Sequence, residues 1–304
     1  MHDIYASRTG DQEQIIPRQD PIVYGDEQPD VKFSLSRRQL DSYEQNGFLV
    51  LPNYLPELVE PLLEEINELR WKMQGYEELY TEPDSGEVRT IFKPFAFSEL
   101  VAQIARHPKM LRVAKQILGS DVYLTQSRIN VKPAFKGRSF PWHSDFETWH
   151  VEDGMPRMRA VTGWIMLNEN NEHNGPLYVI PGSHRDYVKC AGETSERNYL
   201  TSLKKQKLGV PRDETMAEML KGREVTSILG PPGTVVFHEC NIMHGSPDNI
   251  SDQRRSLLMF VYNSCDNALR EPYSGLKPRP HYLRSNDDRP LRESQPMSNS
   301  RRFA

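Results

Sequence analysis

The stretch Phe140-Pro-Trp-His-Ser-Asp-Phe-Glu-Thr-Trp-His-Val-Glu-Asp-Gly154 holds the densest chemistry in the chain. His143 and Asp145 stand two positions apart. On a β-strand, side chains i and i+2 face the same side, so a strand over 139–145 would aim an imidazole and a carboxylate at one point. That pair needs a third ligand from elsewhere. The downstream candidates are His173, His184, His238 and His244. His244 has the best setting, because it follows the apolar run Thr234-Val-Val-Phe237 and precedes Gly245-Ser246. His184 reads as the end of a turn, and His238 as structural. His150, next to Trp149, could orient the block through hydrogen bonds.

The same texture continues on both sides of this block. Short apolar or alternating runs at 121–132, 158–168, 176–180, 234–240 and 255–262 lie between Gly, Pro, Asn and Asp clusters. This spacing predicts strands of a sandwich or barrel. Upstream, the pattern is helical. Residues 36–46 read as a helix with Ser36 as N-cap and Gly47 past its end. Residues 57–73 repeat Leu58, Leu62, Ile66 and Leu69 at helical spacing. Residues 98–118 do the same, with Pro108 dividing them and Gly119 as a stop. The predicted organisation is one domain over 1–304. It comprises an irregular N-terminal arm (1–34), a mainly helical flank (35–120), a β core (121–285) with an insertion at about 190–225, and a flexible tail (286–304).

Two histidines and one carboxylate with open positions form the facial triad of non-haem Fe(II) oxygenases. Arg255 opens the strand that returns after His244. A forked, permanently charged guanidinium suits the far carboxylate of a dicarboxylic cosubstrate. In the first of the core strands, Gln126, Arg128 and Asn130 share a face, while Ile129 and Val131 share the other. A polar face on an internal strand points to a site.

Together, His143-x-Asp145, His244-Gly-Ser and Arg255 resemble the phytanoyl-CoA dioxygenase branch of the 2-oxoglutarate-dependent Fe(II) oxygenases. The block from Trp142 to Pro156 is similar to the signature of ectoine hydroxylases. So are Gln126-Ser-Arg-Ile-Asn130, Lys277-Pro-Arg-Pro280 and the early Arg18-Gln-Asp-Pro21. The resemblance spans roughly residues 15–285. It implies a mainly β fold with flanking helices, a double-stranded β-helix of the jelly-roll, cupin-like kind. It also implies that His143, Asp145 and His244 hold Fe(II), with 2-oxoglutarate and O2 as cosubstrates. Arg255, Ser246, Asn130 and Phe92 would then bind 2-oxoglutarate; Phe95 and Phe97 are rivals for the last role. The implied reaction hydroxylates ectoine to 5-hydroxyectoine with release of succinate and CO2, in compatible-solute synthesis under osmotic stress. Ectoine is a small cyclic amidine with a carboxylate. Arg279 would meet the carboxylate, Gln126 the ring N–H, and Trp149 would supply a flat wall that also favours a delocalised cation. The resemblance suggests a homodimer as well. A hydroxylase of a proline-like cyclic amino acid would keep the triad and Arg255 without needing Gln126, Trp149 and Arg279 together. A non-catalytic jelly-roll binding protein would be expected to have lost a ligand.

Composition narrows the remaining classes. The 304 residues include 38 basic and 42 acidic side chains, a net charge of −4. That balance excludes the strongly basic surface that drives nucleic-acid binding. No run of about 18 apolar residues exists to span a membrane, and the first residues lack the basic and apolar regions of a secretory signal. Three scattered cysteines, Cys190, Cys240 and Cys265, give neither a disulfide framework nor a zinc knuckle. The expected setting is the reducing cytoplasm.

Overall fold

The computed structural model describes residues 3–82 and 86–294. Its strands are β1 (Gln14–Pro17), β2 (Phe48–Leu51), β3 (Leu79–Thr81), β4 (Val88–Phe92), β5 (Val122–Lys132), β6 (Phe140–His143), β7 (Ala160–Met166), β8 (Leu177–Val179), β9 (Asp186–Lys189), β10 (Thr226–Ile228), β11 (Val235–Glu239), β12 (His244–Ser246) and β13 (Arg255–Ser264). The helices are α1 (Arg37–Asn46), α2 (Val59–Lys72), α3 (Glu99–Ala105), α4 (Pro108–Leu118), α5 (Asp145–Asp153), α6 (Asn198–Ser202) and α7 (Asp213–Met219).

A seven-stranded sheet runs β2-β11-β7-β13-β5-β4-β3, and a four-stranded sheet runs β10-β8-β12-β6. Every pairing is antiparallel. Period-two alternation gives the large sheet two unlike faces. Its outer face, with Ile129, Val161, Ile165, Phe237, Leu258 and Phe260, packs on the apolar sides of α1 to α4 in the main core. Its inner face, with Trp164, Met166, Val236 and Leu257, meets Val179 and Ile228 of the small sheet. Two facing sheets with helices outside make the jelly roll expected from the sequence.

The helical flank follows its sequence signals. Ser36 and Gln39 form a capping box on α1, and Gly47 closes it in the left-handed conformation. Pro108 is the first residue of α4, where its missing N–H costs nothing. The flank is less helical than expected, however. β3 and β4 lie within it and extend the large sheet through β5.

Three other expectations need correction. The strand expected over 139–145 stops at His143, and Asp145 opens a helix instead. Gly154 ends that helix at φ 76°, where a Cβ would sit 2.1 Å from the Arg270 carbonyl oxygen. The arm over 1–34 is not merely irregular. β1 pairs with β9, and Tyr5 and Arg8 are buried. The tail expected over 286–304 is anchored in its first part. Leu291 N–H bonds to Val122 O, Ser294 N–H bonds to Arg106 O, and Glu293 pairs with Arg112. Residues 295–304 lie outside the described residues. Among the described residues no helix is long and apolar enough to cross a membrane.

Candidate metal centre and its pocket

His143 closes β6 and His244 opens β12, and the two are direct cross-strand partners. Their ring centroids are 4.2 Å apart. Each ring has its Nδ1 at 2.9 Å from the carbonyl two residues earlier, that of Pro141 for His143 and that of Ile242 for His244. A carbonyl only accepts, so each Nδ1 carries the hydrogen and each Nε2 presents a lone pair. Asp145 reaches in from the start of α5. Its Oδ1 is 3.6 Å from His143 Nε2 and its Oδ2 4.0 Å from His244 Nε2. One ligand atom from each of the three lies within 4.8 Å of the others.

The protonation states suit a cation. Burial, with His143 alongside, pushes His244 down to about 3, so its ring is neutral. Burial alone would raise Asp145, yet His143 and His238 hold its carboxyl well below the usual range. Two imidazoles and a carboxylate fit a divalent ion with open positions, the donor set typical of non-haem iron.

Beside this centre lies a cavity of about 200 Å³ between the two sheets. Arg255 lies in its wall, 5 % exposed. Its Nε and Nη1 have no hydrogen-bond partner among the described residues, and burial pushes it down to about 10. Across the β5–β13 ladder its partner is Lys132, whose ammonium donates to Ser246 Oγ at 2.9 Å and to the Pro247 carbonyl. Burial and then Arg255 push Lys132 down to about 6. A buried guanidinium with unused donors beside an amine that it keeps from holding its proton calls for an anion.

The phytanoyl-CoA dioxygenase family model matches residues 43–257. The chain belongs to the phytanoyl-CoA dioxygenase family. Within this family it is similar to an ectoine dioxygenase of Bordetella bronchiseptica, 47 % identical over 92 % of each chain, and to one of Sphingopyxis alaskensis, 44 % identical over 93 % of each. A solved structure of EctD from S. alaskensis with 2-oxoglutarate and 5-hydroxyectoine aligns at a TM-score of 0.86 and 40 % identity, over 96 % of this chain and 98 % of that one. A structure of the same protein with bound Fe aligns equally well.

The other residues singled out in the sequence of this family member also meet at the cavity. Asn130 accepts from Thr90 Oγ1 at 3.3 Å. Phe92 is buried, with its ring centroid 5.7 Å from that of Tyr282; its rivals Phe95 and Phe97 do not line the cavity. Gln126 faces the cavity in the alternation it shares with Arg128 and Asn130, and a β-bulge just before it ends that alternation. The β5–β13 register skips one residue between Gln126 and Leu124. Leu124 therefore faces the helices while Gln126, two residues on, faces the site. Trp149 is 3 % exposed and serves two surroundings: it packs in an apolar cluster with Phe146, Met155 and Val261 and also lines the cavity.

Arg279 is not the solvated loop charge that its Pro-rich segment suggests. It donates to Asp153 through Nε at 2.8 Å and Nη2 at 2.5 Å. That pairing raises its pKa against the opposing effect of burial. Sequence reading assigned no role to Arg128, although it shares the polar face of β5. Arg128 is half-buried in the cavity wall, donates to Gln126 Oε1 at 2.6 Å, and has its pKa lowered by desolvation. Lys132 entered the sequence reading only, with Arg254, as a substitute cation should Arg255 not bind the cosubstrate. The available signal was phase, since Lys132 continues the alternation of Gln126, Arg128 and Asn130.

α5 is held from behind by the N-terminal arm. Arg8 donates to Glu147 through Nε at 2.9 Å and Nη2 at 2.6 Å, and its Nη1 pairs with Glu152. Ser7 Oγ donates to Glu147 at 2.7 Å, and Asn198 of the insertion donates to Glu152 at 2.8 Å. The insertion also contributes Leu203 and Gln206 to the cavity wall.

Proposed function

We propose that this chain is an Fe(II)- and 2-oxoglutarate-dependent dioxygenase that hydroxylates ectoine to 5-hydroxyectoine, releasing succinate and CO2. The observation that carries the reading is the meeting in one cavity of the His143–Asp145–His244 cluster and the buried, unsatisfied Arg255. The first offers ligands for a metal and the second a place for a dicarboxylate. Ectoine as substrate is supported by the similarity to ectoine dioxygenases along nearly the whole chain.

His143, Asp145 and His244 would hold the iron, which when bound supplies the O2 chemistry that couples oxidative decarboxylation of 2-oxoglutarate to hydroxylation. The protein binds, orients and excludes water. Arg255, Lys132 and Ser246 take the distal carboxylate of 2-oxoglutarate, with Asn130 and Phe92 beside it. Trp149 forms a flat wall for the ectoine ring, and Gln126 accepts from its N–H. The ectoine carboxylate meets Arg279, with the half-buried charge of Arg128 nearby. Because Asp153 already neutralises much of Arg279, Arg128 shares this task. The chain acts in the cytoplasm as a homodimer on this reading, in which the three free cysteines suit a reducing compartment; sedimentation checks the assembly.

The deciding experiment incubates anaerobically purified protein with Fe(II), 2-oxoglutarate and ectoine, admits O2, and follows succinate and hydroxylated product together. Product from a proline analogue but none from ectoine would replace the substrate. Three further results are expected. Arg255→Ala should weaken 2-oxoglutarate binding by about 1.5–3 kcal/mol, the scale of a hydrogen bond to a charged group, with metal binding kept; anaerobic calorimetry measures it. Lys132 is mostly neutral in the free protein above about pH 6, and the dianion should recharge it. Binding should then take up as much as one proton, and affinity should fall by up to about tenfold per pH unit as pH rises above that value. Equal binding heats in buffers of different ionisation enthalpy would remove Lys132 from the site. Trp149→Ala and Arg279→Ala should each lose about 100-fold in ectoine hydroxylation while still binding Fe(II) and 2-oxoglutarate. Normal turnover in both would displace the substrate pocket.

A further inference from the structure

Three histidines surround Asp145, and their hydrogen bonds sort them into two kinds. His143 and His244 each donate Nδ1–H to a carbonyl and so offer a bare Nε2. His238 is the reverse. It lies on the inner face of β11, fully buried and opposite Thr162 of β7. Its Nδ1 sits 3.0 Å from Trp164 Nε1. An indole N–H only donates, so Nδ1 of His238 accepts and the hydrogen of the neutral ring is on Nε2. That Nε2 is 3.7 Å from Asp145 Oδ2 and has no hydrogen-bond partner among the described residues. An unpartnered buried donor is costly, and here the nearby carboxylate oxygen is its natural acceptor.

We propose that His238 is a positioning residue of the metal centre: Trp164 fixes its tautomer, and its Nε2–H takes Oδ2 of Asp145 so that Oδ1 is presented to the ion. The proposal rests on the metal reading given above. The same tautomer excludes His238 as a fourth ligand, because the nitrogen facing the centre has no lone pair to give. The 3.7 Å gap exceeds the usual N–H···O separation of about 3.0 Å, and a turn of the carboxylate by less than 1 Å would close it. Ligating carboxylates are commonly held by such outer partners, whose loss costs about 10–100-fold in metal affinity or activity.

The test is an anaerobic titration with Fe(II) and with Co(II), whose absorption spectrum reports ligand geometry. It compares wild type with His238→Phe, His238→Gln, Trp164→Phe and Asp145→Ala, with melting temperatures in parallel. His238→Phe keeps the ring volume and loses the donor. It should bind metal about 10–100-fold more weakly, with an altered Co(II) spectrum. His238→Gln keeps an amide donor and should recover most of the affinity, which a purely structural role would not predict. Trp164→Phe releases the tautomer and should weaken metal binding by a smaller factor; it carries the test should His238→Phe not fold. Metal binding by folded His238→Phe or, failing that, by Trp164→Phe that matches wild type in affinity and spectrum overturns the proposal alone, provided Asp145→Ala is impaired. Unimpaired binding by Asp145→Ala overturns the metal reading, and the proposal with it.

Discussion

Asp145→Ala is expected to abolish ectoine hydroxylation and to lose tight Fe(II) binding while the fold survives. The carboxylate stands at the first position of α5, where a negative charge meets the positive end of the helix dipole. That contribution is at most about 2 kcal/mol for a partly buried charge, and no apolar core is lost with the side chain. For the metal the change is far larger. One of three protein ligands disappears, leaving two neutral imidazoles to hold a divalent ion. Circular dichroism and melting should therefore stay near wild type while product formation falls to background. An active Asp145→Ala protein would sink the triad.

The largest effect on stability is expected far from the chemistry, at Arg8→Ala. The Arg8 side chain is 1 % exposed and neutralises two buried carboxylates, Glu147 and Glu152. Removing one partner of a buried pair strands the other charge, at a cost of about 3–5 kcal/mol. Denaturant unfolding measures this directly. A companion variant replacing Arg8, Glu147 and Glu152 together by apolar residues should recover much of the loss, since it leaves no charge stranded. A loss below about 1 kcal/mol in Arg8→Ala would mean that water reaches the network. Because α5 carries both Asp145 and Trp149, the single variant should also lose activity before it unfolds.

How much of this was readable in the chain depended on the range of the signal. Helix ends were legible because their cues are local: Ser36, Gly47, Pro108 and Gly119 each act within one turn. The site was legible from pattern and resemblance, since ligand spacing and strand alternation sit within a few residues. α5 was misread for a physical reason. A helix exposed on one side shows an apolar stripe, but Phe146, Glu147, Trp149, His150, Val151, Glu152 and Asp153 are all buried. With polar groups buried on paired partners, no stripe exists to read. The role of Arg8 was illegible because its partners lie about 140 positions away. The polar face of β5 was visible, but the bulge that ends it before Gln126 and turns Leu124 to the helices depends on the register with β13, which one strand alone does not specify.

The corner made by Arg255 and Lys132 bears on how long the protein lasts in a cell. Two basic groups held apart from water, with Asp248 and Glu82 only partly offsetting the charge of Lys132, work against the folded state, and Lys132 responds by giving up its proton. A dicarboxylate that fills the corner removes that opposition, and at a hundred times its dissociation constant it adds about 2.7 kcal/mol to stability. 2-Oxoglutarate would thus act as both reactant and folding ligand. The same central metabolite that sets the rate would set resistance to proteolysis, so the standing amount of enzyme would track the carbon supply on which the reaction draws.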